Sequence, residues 1–223
     1  MGEHTDCVFN VGCPSIDVAL HTDPTINNDL MANYHGTGEP IDWTTPYILL
    51  VQHPVTTSYG DGTNQIMASL NALKKFKDHQ KIILWPNSDA GSDDVAKGIR
   101  VFRETKQDEG HKFHFFRNFS PEDYIRVLAN ASCCVGNSSS FIRDGAALGC
   151  PAVIIGDRQQ DREVSHNVMF SDYDETAIAT AIQSQLLHGK YERSTRYGTG
   201  HAGIQIAEKL SSLHINRQKK ITF

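Results

Sequence analysis

Residues 136 to 144 read Gly136-Asn137-Ser138-Ser139-Ser140-Phe141-Ile142-Arg143-Asp144, directly after the apolar run Cys133-Cys134-Val135 and at the opening of a helix-like pattern. That is a strand-turn-helix junction with three consecutive hydroxyls at the turn. The first N–H groups of a helix lack intrahelical acceptors and carry partial positive charge, so serine or asparagine there either caps the helix or joins the backbone amides in holding an anion. One serine would be read as a cap. Gly-Asn-Ser-Ser-Ser followed by Arg143 and Asp144 is read as a seat for a diphosphate.

The other polar residues of this kind also follow apolar runs. His53-Pro54 follows Tyr47 to Gln52, Pro86-Asn87-Ser88-Asp89 follows Lys81 to Trp85, and Arg117-Asn118-Phe119 follows Phe113 to Phe116. The serine turn follows Ser132 to Val135, and Asp157-Arg158-Gln159-Gln160 follows Ala152 to Ile155. Helical periods lie between these runs, at Asn64 to Lys77, Asp93 to Glu104, Pro121 to Ala131 and Ser139 to Leu148, with two more near Glu175 to Leu187 and Gly203 to Leu213. Continuous apolar strands separated by helices of roughly 10 to 15 residues are the signature of a parallel sheet covered on both faces. The expected fold class is therefore α/β, a Rossmann-like parallel sheet with helices on both faces, over residues 1–223 as a single domain. Ligands of such sheets bind beyond the carboxyl ends of the strands, and all five polar groups fall there. Residues 18 to 46, rich in Asp, Asn, Thr, Pro and Gly, are expected to form an irregular connection, most of all around Asn33 to Trp43. Val8 to Asp17 reads as a short strand, a turn and a helix start.

Composition excludes several classes. Hydrophobic residues make 39% and charged residues 21%, with a formal net charge of −5, and no apolar run reaches the roughly 18 residues of a membrane span. Met1-Gly2-Glu3-His4-Thr5-Asp6 lacks the basic and apolar regions of a signal peptide. Basic residues are spread out apart from Arg217-Gln218-Lys219-Lys220, which argues against nucleic acid as a partner, and no membrane is expected either. Five cysteines cannot all pair, and Cys133, Cys134 and Cys150 lie in or beside expected buried strands, so the reading is a reducing cytoplasm. Without a C-x-x-C or H-x-x-x-H spacing, neither a metal nor another cofactor is expected.

A series of motifs in fixed order resembles the second domain of the hydrolysing UDP-N-acetylglucosamine 2-epimerases. It comprises Gly12-Cys13-Pro14-Ser15-Ile16-Asp17, Gln52-His53-Pro54-Val55-Thr56-Thr57, Pro86-Asn87-Ser88-Asp89-Ala90-Gly91-Ser92 and Gly136-Asn137-Ser138-Ser139, and continues through Gly156-Asp157-Arg158-Gln159, Arg162-Glu163, Asn167-Val168 and Tyr197-Gly198. The non-hydrolysing branch typically has Asp-Ser-Gly-Gly at the serine turn. The resemblance implies the second of two Rossmann-like domains of a glycosyltransferase-B arrangement, with a UDP-sugar between them. The implied partners are UDP-N-acetylglucosamine or UDP, an N-terminal epimerase domain that carries the acid and base carboxylates, and a second copy in a homodimer.

The implied reaction eliminates UDP to leave a 2-acetamidoglucal and then adds water, giving N-acetylmannosamine for sialic acid-type sugars. By the same resemblance His53 contacts the diphosphate and acts in leaving-group departure, and Ser138 and Ser139 hold the phosphates. Asp144, in the place of a family glutamate, takes the ribose hydroxyls, Phe119 lies by the uracil, and Asn87 faces the sugar or diphosphate. Arg143 and Arg158 supply positive charge, while Gln159, Arg162 and Glu163 fall at the cleft without a defined role. Phe141 stands in place of a glycine and Asp157 in place of a threonine, the latter close enough in sequence to pair with Arg158. Two further readings remain open here, the nucleotide-sugar half of a glycosyltransferase of the same architecture and a non-catalytic UDP-sugar sensor.

Overall fold

The computed structural model describes residues 5–105 and 110–213. The helices are α1 (Pro14–His21), α2 (Gly62–Leu73), α3 (Ser92–Glu104), α4 (Pro121–Asn130), α5 (Ser139–Leu148), α6 (Glu175–His188) and α7 (Ala202–Ser212). The strands are β1 (Thr37–Gly38), β2 (Tyr47–Val51), β3 (Gln80–Leu84), β4 (Phe113–Phe116), β5 (Cys133–Gly136), β6 (Ala152–Ile155) and β7 (Val168–Ser171). They form one sheet in the order β1-β4-β3-β2-β5-β6-β7. All neighbours are parallel except β1 against β4.

The expected α/β class is the observed one, because each central strand is apolar on both faces. Ile48 and Leu50 of β2 enter one core with Ile66 and Leu70 of α2, Ile99 of α3 and Ile182 of α6. Their neighbours Tyr47, Leu49 and Val51 enter the opposite core with Leu128 of α4 and Ile142 of α5. This period of two is what a pleated strand buried on both sides requires. Helices α4 and α6 begin where their caps stand: Ser120, before Pro121, accepts from the Asp123 amide, and Asp174 accepts from the Ala177 amide.

Three expectations are corrected. Val8 to Val11 form no strand; Val8 is 62% and Phe9 41% exposed, so there is no core face to give them a ladder partner. The stretch at 18–46 is irregular over most of its course but not throughout, since α1 runs on to His21 and Thr37–Gly38 adds an antiparallel edge strand within it. A seventh strand, β7, extends the sheet at the far edge. Residues 1–4 and the basic run at 217–220 lie outside the described residues.

The order of strands fixes where a site must lie. Chain connections leave β2 toward β3 on one side, while β5 lies on its other side, so the ends of β2 and β5 are the switch point where a crevice opens. Gly136 closes β5 with φ 129°, and a Cβ there would come within 2.1 Å of the Val51 carbonyl oxygen. Only glycine lets the two strand ends approach so closely.

Candidate functional site

Two loops meet at the switch point and are stapled together by one side chain. Asn137 Oδ1 accepts from the His53 amide at 2.7 Å, and Asn137 Nδ2 donates to the His53 carbonyl at 2.8 Å. Asn137 is fully buried, and its own carbonyl accepts from Gln159 Nε2 at 2.9 Å and Arg158 Nη1 at 3.3 Å. The ends of β2, β5 and β6 are thereby locked around one residue, Asn137, whose side-chain amide and backbone carbonyl are met by partners far away in sequence.

Above this staple lies a cavity of about 410 Å³ lined by His53, Asn87, Arg117, Tyr124, Ser138 and Ser140, among others. His53 Nδ1 accepts from the Asn87 amide at 3.2 Å. A backbone N–H can only donate, so the neutral ring must carry its proton on Nε2. Burial first, then the positive charge of Arg158, lowers the His53 pKa to about 4 against a small opposing pull from Asp89. At neutral pH the ring is therefore an uncharged donor. The folded pKa lies below the ordinary 6.5, so the unfolded chain binds more protons as pH falls through 6.5, and the stabilisation present above 6.5 is lost toward pH 4. Thermal melts of the parent should fall more steeply between pH 7 and pH 4.5 than those of His53→Asn; parallel curves would contradict the burial of a neutral ring.

The serine turn is held by its own hydroxyls. Ser138 caps α5 by accepting from the Ser140 amide, its hydroxyl lies 2.8 Å from Ser140 Oγ, and Ser140 Oγ is 2.5 Å from the Tyr124 hydroxyl. Among the described residues the amides of Ser138 and Ser139 have no hydrogen-bond partner. Two free N–H groups at the start of a ten-residue helix, beside three mutually bonded hydroxyls, make a seat that an anion can enter by replacing weak hydroxyl contacts with charge-assisted ones.

Of the sequence-predicted residues, His53, Asn87 and Ser138 share this cavity. Ser139 stands at the same turn. Arg158 reaches the site from the end of β6: its Nη2 pairs with Asp89 Oδ2 at 3.1 Å, and Asn87 Nδ2 donates to the same carboxylate oxygen at 2.7 Å. Arg158 thus pairs with Asp89, in the loop after β3, and not with its sequence neighbour Asp157. Phe119 is 5% exposed and packs its ring against Trp43, Phe116 and Tyr34, so its side chain is core; its backbone, between β4 and α4, has no partner among the described residues.

Asp144 and Arg143 face α1 instead of the His53 cavity. Ser15 Oγ donates to Asp144 Oδ1 at 3.0 Å, and the carboxyl is only 6% exposed, so burial raises its pKa against the counteracting Ser15 bond and the charge of Arg143. Arg143 Nη1 lies 3.9 Å from Cys13 Sγ. Phe141 is fully buried in the core under α5, so the ring that replaces a glycine points away from the turn. Glu163 pairs with Arg196, and Gln159 belongs to the Asn137 staple.

Sequence reasoning assigned no individual role to Tyr124, Asn137 or Ser15, although Asn137 belongs to the serine turn and Ser15 to the motif from Gly12 to Asp17. Tyr124 had a readable signal, a single phenol beside Ile125 and Leu128 on the apolar side of a helix that follows a site loop. The partners of Asn137 and Ser15 are visible only in three dimensions. Among the described residues no group of three or more His, Cys, Asp or Glu is arranged to hold a metal ion, and no helix is long and apolar enough to cross a membrane.

Comparison with known proteins adds an independent line. A family model described as UDP-N-acetylglucosamine 2-epimerase matches residues 1–211. A UDP-N,N'-diacetylbacillosamine 2-epimerase (hydrolyzing) of Legionella pneumophila is 28% identical over 218 residues, 98% of this chain and 55% of the relative. A UDP-N-acetylglucosamine 2-epimerase of Neisseria meningitidis is 28% identical over 201 residues, 90% of this chain and 50% of that protein. The chain thus spans about half the length of the curated relatives it matches. In fold it is similar to the UDP-GlcNAc 2-epimerase of Methanocaldococcus jannaschii in complex with UDP-GlcNAc and UDP, with a TM-score of 0.70 at 16% identity over 94% of this chain and 56% of that one.

Proposed function

The chain belongs to the UDP-N-acetylglucosamine 2-epimerase family, and from that premise we propose that it is the UDP-binding half of a hydrolysing epimerase. In this reading it works with an N-terminal Rossmann-like half to convert UDP-N-acetylglucosamine to N-acetylmannosamine and UDP, in the cytoplasm, for sialic acid-type sugars. The observation that carries the reading is the cavity at the switch point, where a neutral histidine, the Asn87 loop and the free amides of the serine turn converge.

The chemistry follows from those groups. Elimination of UDP develops charge on the departing diphosphate, which preorganised donors in a shielded site stabilise. The Ser138 and Ser139 amides and hydroxyls supply donors at the helix start, and Arg158 supplies a planar cation once its fork leaves Asp89 for the phosphate. The Nε2–H of His53 is a donor in the resting site. An arriving diphosphate favours the charged ring, so the His53 pKa rises on binding; the second proton goes to Nδ1, which gives up its bond from the Asn87 amide, and the imidazolium becomes available through Nε2–H as acid to the leaving group. Asp144, held at one oxygen by Ser15, keeps the other for ribose hydroxyls, and the unpaired backbone at Phe119 serves the uracil edge. That Phe141 is buried and Asp157 does not take Arg158 supports a working site over a relic.

A UDP titration of Asp144 variants tests the reading. Asp144→Asn retains the Ser15 contact yet loses a charged acceptor, and should weaken UDP by about 1 kcal/mol or more, roughly fivefold. Asp144→Glu should bind at least as well as the parent. Equal affinity for the parent and Asp144→Asn would remove the ribose role and move weight to a non-catalytic sensor.

A further inference from the structure

A second cavity, of about 840 Å³, is larger than the one of about 410 Å³ at the serine turn. It opens at the β4 edge of the sheet, on the side of α3, and its walls include Arg100 and Arg103 of α3, Arg117 after β4, and His35. Trp85 and Phe115 contribute apolar surface. Arg100 and Arg103 are three residues apart and so lie on one face of the helix. Arg103 Nη1 is fixed by a 2.9 Å bond to Thr37 Oγ1 at the β1 edge, while Arg100 and Arg117 are exposed and have no ion-pair or hydrogen-bond partner among the described residues.

This clustering runs against the balance of the chain as a whole, which carries 26 acidic to 21 basic residues. Three guanidinium groups repel one another across a shared cleft, and the lining offers them a single carboxylate, Asp93, in the first turn of α3. Guanidinium forks match phosphate oxygens two at a time, and a cavity of this volume lies within the range that encloses a nucleotide-sized ligand. We propose that the cleft is a second site, for a small phosphate-bearing ligand of the nucleotide or sugar-phosphate class. Asn87 and Arg117 line both cavities, so the two sites share a wall. The proposal stands independently of the epimerase reading.

Inorganic pyrophosphate is the probe, followed through the arginine Nε–Hε resonances of the 223-residue chain. Arg100, Arg103 and Arg117 should shift together, with the same midpoint in the Ser138→Ala variant, whose serine turn is impaired. Arg100→Ala should raise the midpoint about threefold, and Arg100→Ala with Arg103→Gln about tenfold or more, while UDP binding followed at the Ser138 and Ser139 amides is unchanged. The site is overturned if these resonances stay still, if the double variant binds pyrophosphate like the parent, or if Ser138→Ala abolishes the shifts. Citrate binding as tightly as pyrophosphate would overturn the phosphate class. Arg100 is exposed and without a partner, so its variant retains the fold and keeps the test decisive should Arg103→Gln disturb the β1 edge.

Discussion

The 223-residue chain alone is expected to release no N-acetylmannosamine or UDP from UDP-N-acetylglucosamine, and to gain turnover when a matching N-terminal half is added. Proton abstraction at the sugar and protonation at its other face need two positioned groups. The cavity at the switch point offers one titratable group of the right kind, His53, and the carboxylate nearest to it, Asp89, is committed to Arg158 and Asn87. Product release by the purified chain alone, abolished by His53→Ala, would overturn this division of labour. Added first half with no gain in activity would count equally against it. In the complemented enzyme His53→Ala should cost about two to four orders of magnitude in kcat, the ordinary range for general acid chemistry.

The second large effect concerns binding. Ser138→Ala removes a hydroxyl beside the free amides, and Arg158→Ala removes the cation that reaches in from β6. Charge-assisted hydrogen bonds contribute about 1.5 to 3 kcal/mol each, so the double variant should weaken UDP by about 3 kcal/mol or more, beyond detection if the parent binds weakly. Ser138 is 8% exposed, and its capping bond to Ser140 contributes about 1 kcal/mol to α5. A small drop in melting temperature is therefore expected beside a large loss of UDP. Unchanged UDP affinity in the double variant would move the site elsewhere.

The sheet was legible because its central strands are unbroken apolar runs. Phe113–Phe116 and Ala152–Ile155 have the bounds the sequence implies, as does the helix Ser139–Leu148. Edges were not. Val168–Ser171 leaves Met169 37% and Phe170 49% exposed, so no buried pattern marks it, whereas Val8 and Phe9 have strand-like composition without a partner. Thr37–Gly38 is a strand only because β4 lies beside it, with a Cβ on Gly38 coming within 2.3 Å of the Phe113 carbonyl oxygen.

The site divides the same way. That polar groups gather at the strand ends follows from fold class alone, but which of them touch does not. Ser15 and Asp144 are 129 residues apart, Asn137 and His53 84, and Arg158 and Asp89 69. Nothing in local spacing encodes those pairs. For the same reason the sequence offers Asp157, the neighbour, as a partner for Arg158, whereas the structure meets it from the loop after β3.

The most direct test of the account is a UDP titration of the isotopically labelled chain, read residue by residue from amide and side-chain resonances. Binding at the switch point predicts that the Ser138 and Ser139 amides shift most, together with the His53 ring, whose Nδ1 resonance should move toward that of a charged imidazole as the diphosphate arrives. Shifts confined to other surfaces, with the serine turn and His53 unmoved at saturating UDP, would contradict it.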